Sequence, residues 1–148
     1  MWRVCFLILA TSVLACKSTL AESLLVAVSP SGHVRIEFSL RTVDQIDAAP
    51  HYRVTFRDKE VIGNSRLGFD LEGGDALGGS CEIVSSETRD VGEAYIQITG
   101  KRREVESHWT ETTVLLQETT KPRRKWELII RACDDGVAFR YRFPKQEG

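Results

Sequence analysis

The chain has 148 residues, of which 42% are hydrophobic and 28% charged, and its formal net charge at pH 7 is −1. This length and composition suit one domain with its own apolar core and exclude a wholly disordered protein. The nearly balanced charge gives no electrostatic reason to expect binding to nucleic acid or to an anionic membrane surface.

The first 21 residues have the pattern of a secretory signal peptide. Arg3 precedes an apolar run over residues 4–15, and small or polar residues follow as far as Ala21. This run is shorter than the roughly 20 residues that cross a bilayer, so we predict cleavage after Ala21 and export to the periplasm or the cell exterior. The predicted mature domain is residues 22–148. A lipobox-like segment ending at Cys16 leaves open an alternative, in which a lipid on that cysteine anchors the exported protein.

The positions of cysteine and histidine residues bear on whether the chain has a disulfide or a metal site. Export would place Cys81 and Cys133 in an oxidising compartment, and the sequence leaves open whether they pair. The chain has no C-x-x-C motif, and its three histidines are widely separated: His33, His51 and His108. We therefore predict no metal site in this chain.

From Leu24 onward the sequence reads as short strands separated by turns. Apolar residues alternate with polar ones over 34–40, 52–57 and 137–143, which is the period of a strand with one buried face. Turns are predicted at 29–32 and 134–136, and a glycine-rich loop over 73–79. Further strands are predicted at 24–28, 61–62, 67–71, 81–87, 94–99, 112–117 and 126–132. Because no long helical period interrupts them, the pattern predicts an all-β antiparallel sandwich.

Four segments resemble the N-terminal domain of glycoside hydrolase family 97. In chain order they are SPSG at 29–32, EVIGNSRLGFDL at 60–71, GKRREVESHWTETTVL at 100–115 and DDGVAFRYRFP at 134–144. The resemblance implies a β-super-sandwich similar to galactose mutarotase. In this family such a sandwich packs on a (β/α)8 barrel in secreted α-glucosidases and α-galactosidases.

The resemblance also implies where the chemistry lies. In this family the catalytic carboxylates and most calcium ligands belong to the barrel, so no catalytic residue is carried over to this chain. Calcium is expected only in the catalytic part that the chain lacks. The implied partners are that barrel and an α-linked oligosaccharide or polysaccharide, and we expect the chain alone to be inactive.

The candidate sugar-contacting residues are His108, Trp109 and Glu111, which stand where the family has His, Tyr and Glu. An aromatic ring, an imidazole and a carboxylate are groups that carbohydrate sites use for stacking and for hydrogen bonds to hydroxyls. The alternative is that this segment packs against the barrel. Asp134 and Asp135 are adjacent carboxylates, but Asp-Asp-Gly between two strands predicts a tight turn.

Two functions follow from these observations. In the first, the chain is the N-terminal part of an exported glycoside hydrolase, and its sandwich supports the barrel. In the second, it is a free-standing exported module that binds carbohydrate or another partner without catalysis. A large exposed apolar surface would favour the first function, because a docking domain leaves its interface uncovered when it is alone.

Overall fold

The structure, a computed structural model, describes residues 24–98 and 104–146. Its eight strands form two four-stranded antiparallel sheets. The first sheet contains, in order, β1 (Leu24–Val28), β2 (Val34–Val43), β3 (Ile46–Phe56) and β4 (Lys59–Arg66). The second contains β5 (Cys81–Ile96), β6 (Glu104–Glu118), β7 (Lys125–Cys133) and β8 (Gly136–Arg142). The prediction of an all-β antiparallel sandwich is confirmed.

The signal peptide predicted at residues 1–21, with Cys16, lies outside the described residues. Within the described ranges, no helix has the length and apolar character needed to cross a bilayer.

The hydrophobic core lies between the inner faces of the two sheets. Alternate residues of each strand point inward, and the largest fully buried side chains come from both sheets: Phe38 and Ile36 from the first, and Trp126, Leu116, Leu128 and Val114 from the second. Burying a side chain of this size contributes about 1.5–3 kcal/mol. Neither sheet alone could bury its apolar face, so the two must pack to be stable.

Two predicted strand boundaries were wrong. Residues 67–71 form no strand and contribute only an isolated bridge between Phe69 and Leu77, because Gly68 has a φ of 147° that breaks the extended backbone. The strand predicted at 81–87 and the first part of the one predicted at 94–99 belong to one long strand, β5, which ends at Ile96; residue 99 lies outside the described residues. Between the two predicted strands the sequence shows no alternation of apolar and polar residues, because both faces of this stretch of β5 are exposed to solvent.

The long strands β5 and β6 extend past the rest of the sandwich as a two-stranded ribbon. They pair as far as Ile96 with Glu104, whereas β6 pairs with β7 only from Trp109 onward. The sandwich is closed at this end by a contact between turns, in which the Ser31 backbone N–H donates to the Asp134 carboxylate at 2.8 Å. The turn predicted at 134–136 is therefore present, and Asp134 has a structural partner.

The two cysteines that the structure describes do not form a disulfide. Cys81 is buried and Cys133 is half-buried, and both are free. Their neighbours on β6 are Glu118 and Trp109, which lie roughly 30 Å apart along an extended strand. Burial raises the pKa of the Cys81 thiol to about 11, so this thiol stays protonated at neutral pH.

Residues 67–80 form the crossover segment, which connects β4 of the first sheet to β5 of the second. A close approach of two glycines allows this segment to fold. Gly78 has a φ of 85°, and a Cβ at this position would lie 2.6 Å from the Leu67 carbonyl oxygen. The facing Gly68 would bring a Cβ within 2.5 Å of the Leu77 carbonyl oxygen. Both positions therefore exclude side chains, by backbone conformation and by space.

We expect Gly78→Ala to lower the free energy of unfolding by about 1–3 kcal/mol, because it adds backbone strain and a clash. Gly79→Ala is the matched control, since Gly79 has an ordinary φ and open space around its Cα, and should change stability by less than about 0.5 kcal/mol. Urea denaturation of both variants measures the difference. Equal stability of the two variants would contradict this account of the crossover.

Candidate functional site

The three predicted sugar-contacting residues lie on β6 but do not share one face of the sheet. Val114 and Leu116 point into the core, so even-numbered residues of this part of β6 face inward and odd-numbered ones outward. His108 consequently lies on the inner side, beyond the end of the core, where it is exposed. Trp109 and Glu111 lie on the outer face, and both are buried.

Glu111 is held by arginines from both neighbouring strands. Arg89 Nε donates to Glu111 Oε1 at 3.1 Å, and Arg131 Nε donates to Glu111 Oε2 at 2.8 Å. Burial of Glu111 acts to raise the pKa of its carboxyl group, but the hydrogen bonds from Arg89 and Arg131 outweigh burial and lower the pKa. Glu111 is therefore a charged cross-link between β5, β6 and β7.

Trp109 is packed into the same outer-face group. The guanidinium of Arg131 lies over the indole ring, 4.6 Å from the ring centroid, which is a cation–π geometry. The ring is only 6% exposed, and among the described residues its Nε1 has no hydrogen-bond partner. Arg131 thus joins Trp109 to Glu111 and covers one face of the indole ring.

His108 lines a cleft at the base of the β5–β6 ribbon. The cleft has a volume of about 520 Å³ and is lined by Pro30, Asp90, Val91, Gly92, His108 and Trp109. Gly92 leaves room for the imidazole, because a Cβ at that position would lie 2.9 Å from His108 Nδ1. The Asp90 carboxylate accepts a hydrogen bond from Thr110 at 3.3 Å. An imidazole and a carboxylate therefore border the same open space.

Sequence reasoning missed the partners of the predicted residues. Arg89, Arg131, Asp90 and Pro30 come from other strands or turns, and only the strand register brings them to β6. The separation of His108 from Trp109 was readable from the sequence, since adjacent residues of a strand point to opposite faces. Among the residues that the structure describes, no three His, Cys, Asp or Glu side chains are grouped so that they could hold a metal ion.

Comparison with known proteins identifies the family. The model of the family described as "Glycosyl-hydrolase 97 N-terminal" matches residues 27–148. The chain belongs to glycoside hydrolase family 97. It corresponds to the N-terminal domain of enzymes in that family.

The similar proteins are much longer than this family 97 chain. A "probable retaining alpha-galactosidase" from Streptomyces bingchenggensis is 33% identical over 106 residues, which are 72% of this chain and 16% of the relative. A family 97 enzyme from Pseudoalteromonas, solved in complex with panose, is 29% identical with a TM-score of 0.75. The same bacterium's enzyme in complex with acarbose is 30% identical with a TM-score of 0.74. In both structures the match covers 84% of this chain and 18% of the solved chain.

We expect Glu111→Gln to lower the free energy of unfolding of this family 97 domain by about 1–3 kcal/mol at pH 7, because it replaces charge-assisted hydrogen bonds with weaker ones. Glu106→Gln is the control, since Glu106 is exposed on the same strand. Urea denaturation from pH 3 to pH 7 measures both.

The stabilisation by Glu111 should depend on pH in a definite direction. Because the pKa of Glu111 is lowered in the folded state, its stabilisation is present above the ordinary carboxyl value of 4.5 and is lost as the pH falls through the lowered pKa. The difference between wild type and Glu111→Gln should therefore shrink in acid. A difference that is absent at pH 7, or constant with pH, would contradict the role of Glu111 as a charged cross-link.

Proposed function

We propose that this chain is the N-terminal sandwich domain of an exported family 97 glycoside hydrolase that acts on α-linked galactosides or glucosides. The match of residues 27–148 to the family carries this proposal. Glycoside hydrolysis needs two carboxyl groups that flank the scissile bond. We assign these groups to the catalytic barrel of the enzyme, in the part of the relatives that this chain does not span. The signal-peptide pattern of residues 1–21 supports export.

The relatives support an α-linked substrate. One is described as a retaining α-galactosidase, and the Pseudoalteromonas enzyme was solved with panose and with acarbose. The chain spans 16% to 18% of these proteins, so a separate catalytic region is the expected partner. A free-standing carbohydrate-binding module is the competing function, and it differs in needing no such region.

Within this function, we assign sugar contact to the cleft at the ribbon base. The exposed imidazole of His108 and the carboxylate of Asp90 can exchange hydrogen bonds with sugar hydroxyls. The cleft volume of about 520 Å³ lies within the usual range for small-ligand sites. Trp109 borders this cleft, but its ring lies on the outer face of β6 beneath the Arg131 guanidinium. Glu111 holds Arg131 in that position, so we assign Trp109 and Glu111 a supporting role and no direct sugar contact.

A chimaera of the Streptomyces relative tests the proposal. Residues 24–146 of this chain replace the matching region, and hydrolysis of an aryl α-galactoside is compared for the chimaera, for the relative lacking that region and for this chain alone. We expect activity in the chimaera only. In the chimaera, His108→Ala should raise KM several-fold, because it removes a sugar contact, whereas His33→Ala, an exposed histidine outside the cleft, should leave KM unchanged.

Each part of this experiment has an outcome that would contradict the proposal. Hydrolysis by the chain alone would refute the assignment of catalysis to a separate region. Full activity of the relative without the replaced region would refute the supporting role. Equal KM values for wild type, His108→Ala and His33→Ala would remove the cleft from the sugar site. If the chimaera does not fold, titration of the chain alone with melibiose, followed by amide NMR, tests the cleft through shifts at Asp90, Gly92 and His108.

A further inference from the structure

The outer face of the first sheet carries a polar pocket that is separate from the cleft at the ribbon base. Its volume is about 330 Å³, which lies within the usual range for small-ligand sites. Six residues line it: Leu24, Glu37, Ser39, Arg41, Arg53 and Asn64. The cleft that His108 lines shares none of them. We call this site the outer pocket.

The strand register explains why polar residues meet at the outer pocket. Even-numbered residues in the first half of β2 face the core, so Glu37 and Ser39 face outward. Leu24 of β1 lies opposite Ser39, and Arg53 of β3 lies opposite Glu37. Asn64 comes from β4. All four strands of the first sheet therefore contribute to the pocket.

Ser39 is the residue that most directly indicates a ligand. It is only 7% exposed, yet its hydroxyl has no hydrogen-bond partner among the residues that the structure describes. Ser29, which is buried to a similar extent, instead accepts a hydrogen bond from the Val34 backbone N–H at 3.2 Å. Buried polar groups are nearly always hydrogen-bonded, so the Ser39 hydroxyl is suited to a partner that enters the pocket.

The wall of the outer pocket is positively charged. Arg35 and Arg53 both donate through Nε to the Glu37 carboxylate, so two guanidinium groups face one carboxylate. The hydrogen bond from Arg53 is the main cause that lowers the pKa of Glu37, which is therefore ionised at neutral pH. Within the described residues Arg53 bonds only through Nε, which leaves its two terminal nitrogens available. Arg41 adds another guanidinium to the lining.

These groups match a ligand that joins a carboxylate to a hydroxyl-rich ring. A guanidinium binds a carboxylate through two parallel hydrogen bonds, which favours Arg53 as the carboxylate partner. The Ser39 hydroxyl and the Asn64 amide can each donate to and accept from ring hydroxyls. Leu24, which is exposed, offers an apolar contact for the C–H groups of the ring. A hexuronate, a hexose whose C6 is a carboxylate, has all three features.

We propose that the outer pocket is a second saccharide site, which binds one hexuronate unit of an acidic sugar or polysaccharide without catalysis. Arg53 and Arg41 hold the carboxylate, while Ser39 and Asn64 hold ring hydroxyls. A neutral hexose would leave the guanidinium groups without a charged partner, and a simple anion would leave the hydroxyl and amide unused. This site goes beyond the proposed function, because it needs neither the cleft nor a catalytic region.

The first test measures the ligand class on the chain alone. Galacturonate and glucuronate are titrated by calorimetry and by amide NMR, with galactose and glucose as matched ligands that lack only the carboxylate. We expect the uronates to bind more tightly by about tenfold or more, because they add charge-assisted hydrogen bonds. Acetate and sulfate, the controls for a simple anion, should bind as weakly as the neutral sugars. Amide shifts should centre on Ser39, Arg53 and Asn64 and spare Asp90 and His108.

The second test compares two arginine variants. Arg35 and Arg53 both pair with Glu37, and their side chains are 46% and 47% exposed, but only Arg53 lines the outer pocket. Arg53→Gln should weaken galacturonate binding by about tenfold or more, whereas its matched control Arg35→Gln should weaken it by about twofold at most. Ser39→Ala should weaken binding several-fold without changing the charge.

Several outcomes would overturn the hexuronate site. They are the absence of uronate binding, equal affinity for uronates and neutral sugars, and acetate or sulfate binding as tight as that of galacturonate. Equal losses in Arg35→Gln and Arg53→Gln, or amide shifts at the cleft instead of the outer pocket, would also overturn it. If Arg53→Gln does not fold, unchanged affinity in Ser39→Ala would have the same meaning. An inactive chimaera would refute the proposed function alone, since these measurements use the chain without a catalytic region.

Discussion

The burial of two apolar sheet faces against each other is the interaction on which the rest of this structure depends. Each four-stranded meander has one face of aliphatic and aromatic residues, and packing Trp126, Leu116 and Leu128 against Ile36 and Phe38 removes both faces from water. The turn contact from Ser31 to Asp134 and the glycine pair in the crossover then fix how the sheets meet. The candidate functional feature, the cleft at the ribbon base, lies where this burial stops.

The outer face of the second sheet is stabilised differently. Glu111 is surrounded by two arginines, and one of them also covers Trp109, so three strands are joined by charge and by a cation–π contact. A buried carboxylate of this kind is costly to leave unpaired, which makes each member of the group sensitive to loss of the others. The residues that suggested a sugar site in the sequence are therefore divided between two roles, with His108 facing open space and Glu111 fixing the sheet.

The fold was predictable because most core strands carry a clear period of two. The alternation from Val34 to Leu40 correctly predicted a strand and its buried face, and the alternation from Val137 to Phe143 correctly predicted β8, although Phe139 and Phe143 remain exposed. It failed at β5, where a ribbon exposed on both faces has no reason to alternate, and at Phe69, where glycine conformations interrupt the backbone. The candidate site was less predictable, because the register between strands determines that Arg89 and Arg131 meet Glu111.

The central claim is that this sandwich is held by its inner faces, with β8 as an edge strand among the described residues, and residue-resolved amide hydrogen exchange tests it most directly. On the monomeric chain, the account predicts strong protection in β6 and β7. Along β8 it predicts alternation, with amides that point to β7 protected and amides that point to the free edge exchanging rapidly. Uniform protection along β8, or weak protection throughout β6 and β7, would contradict the account.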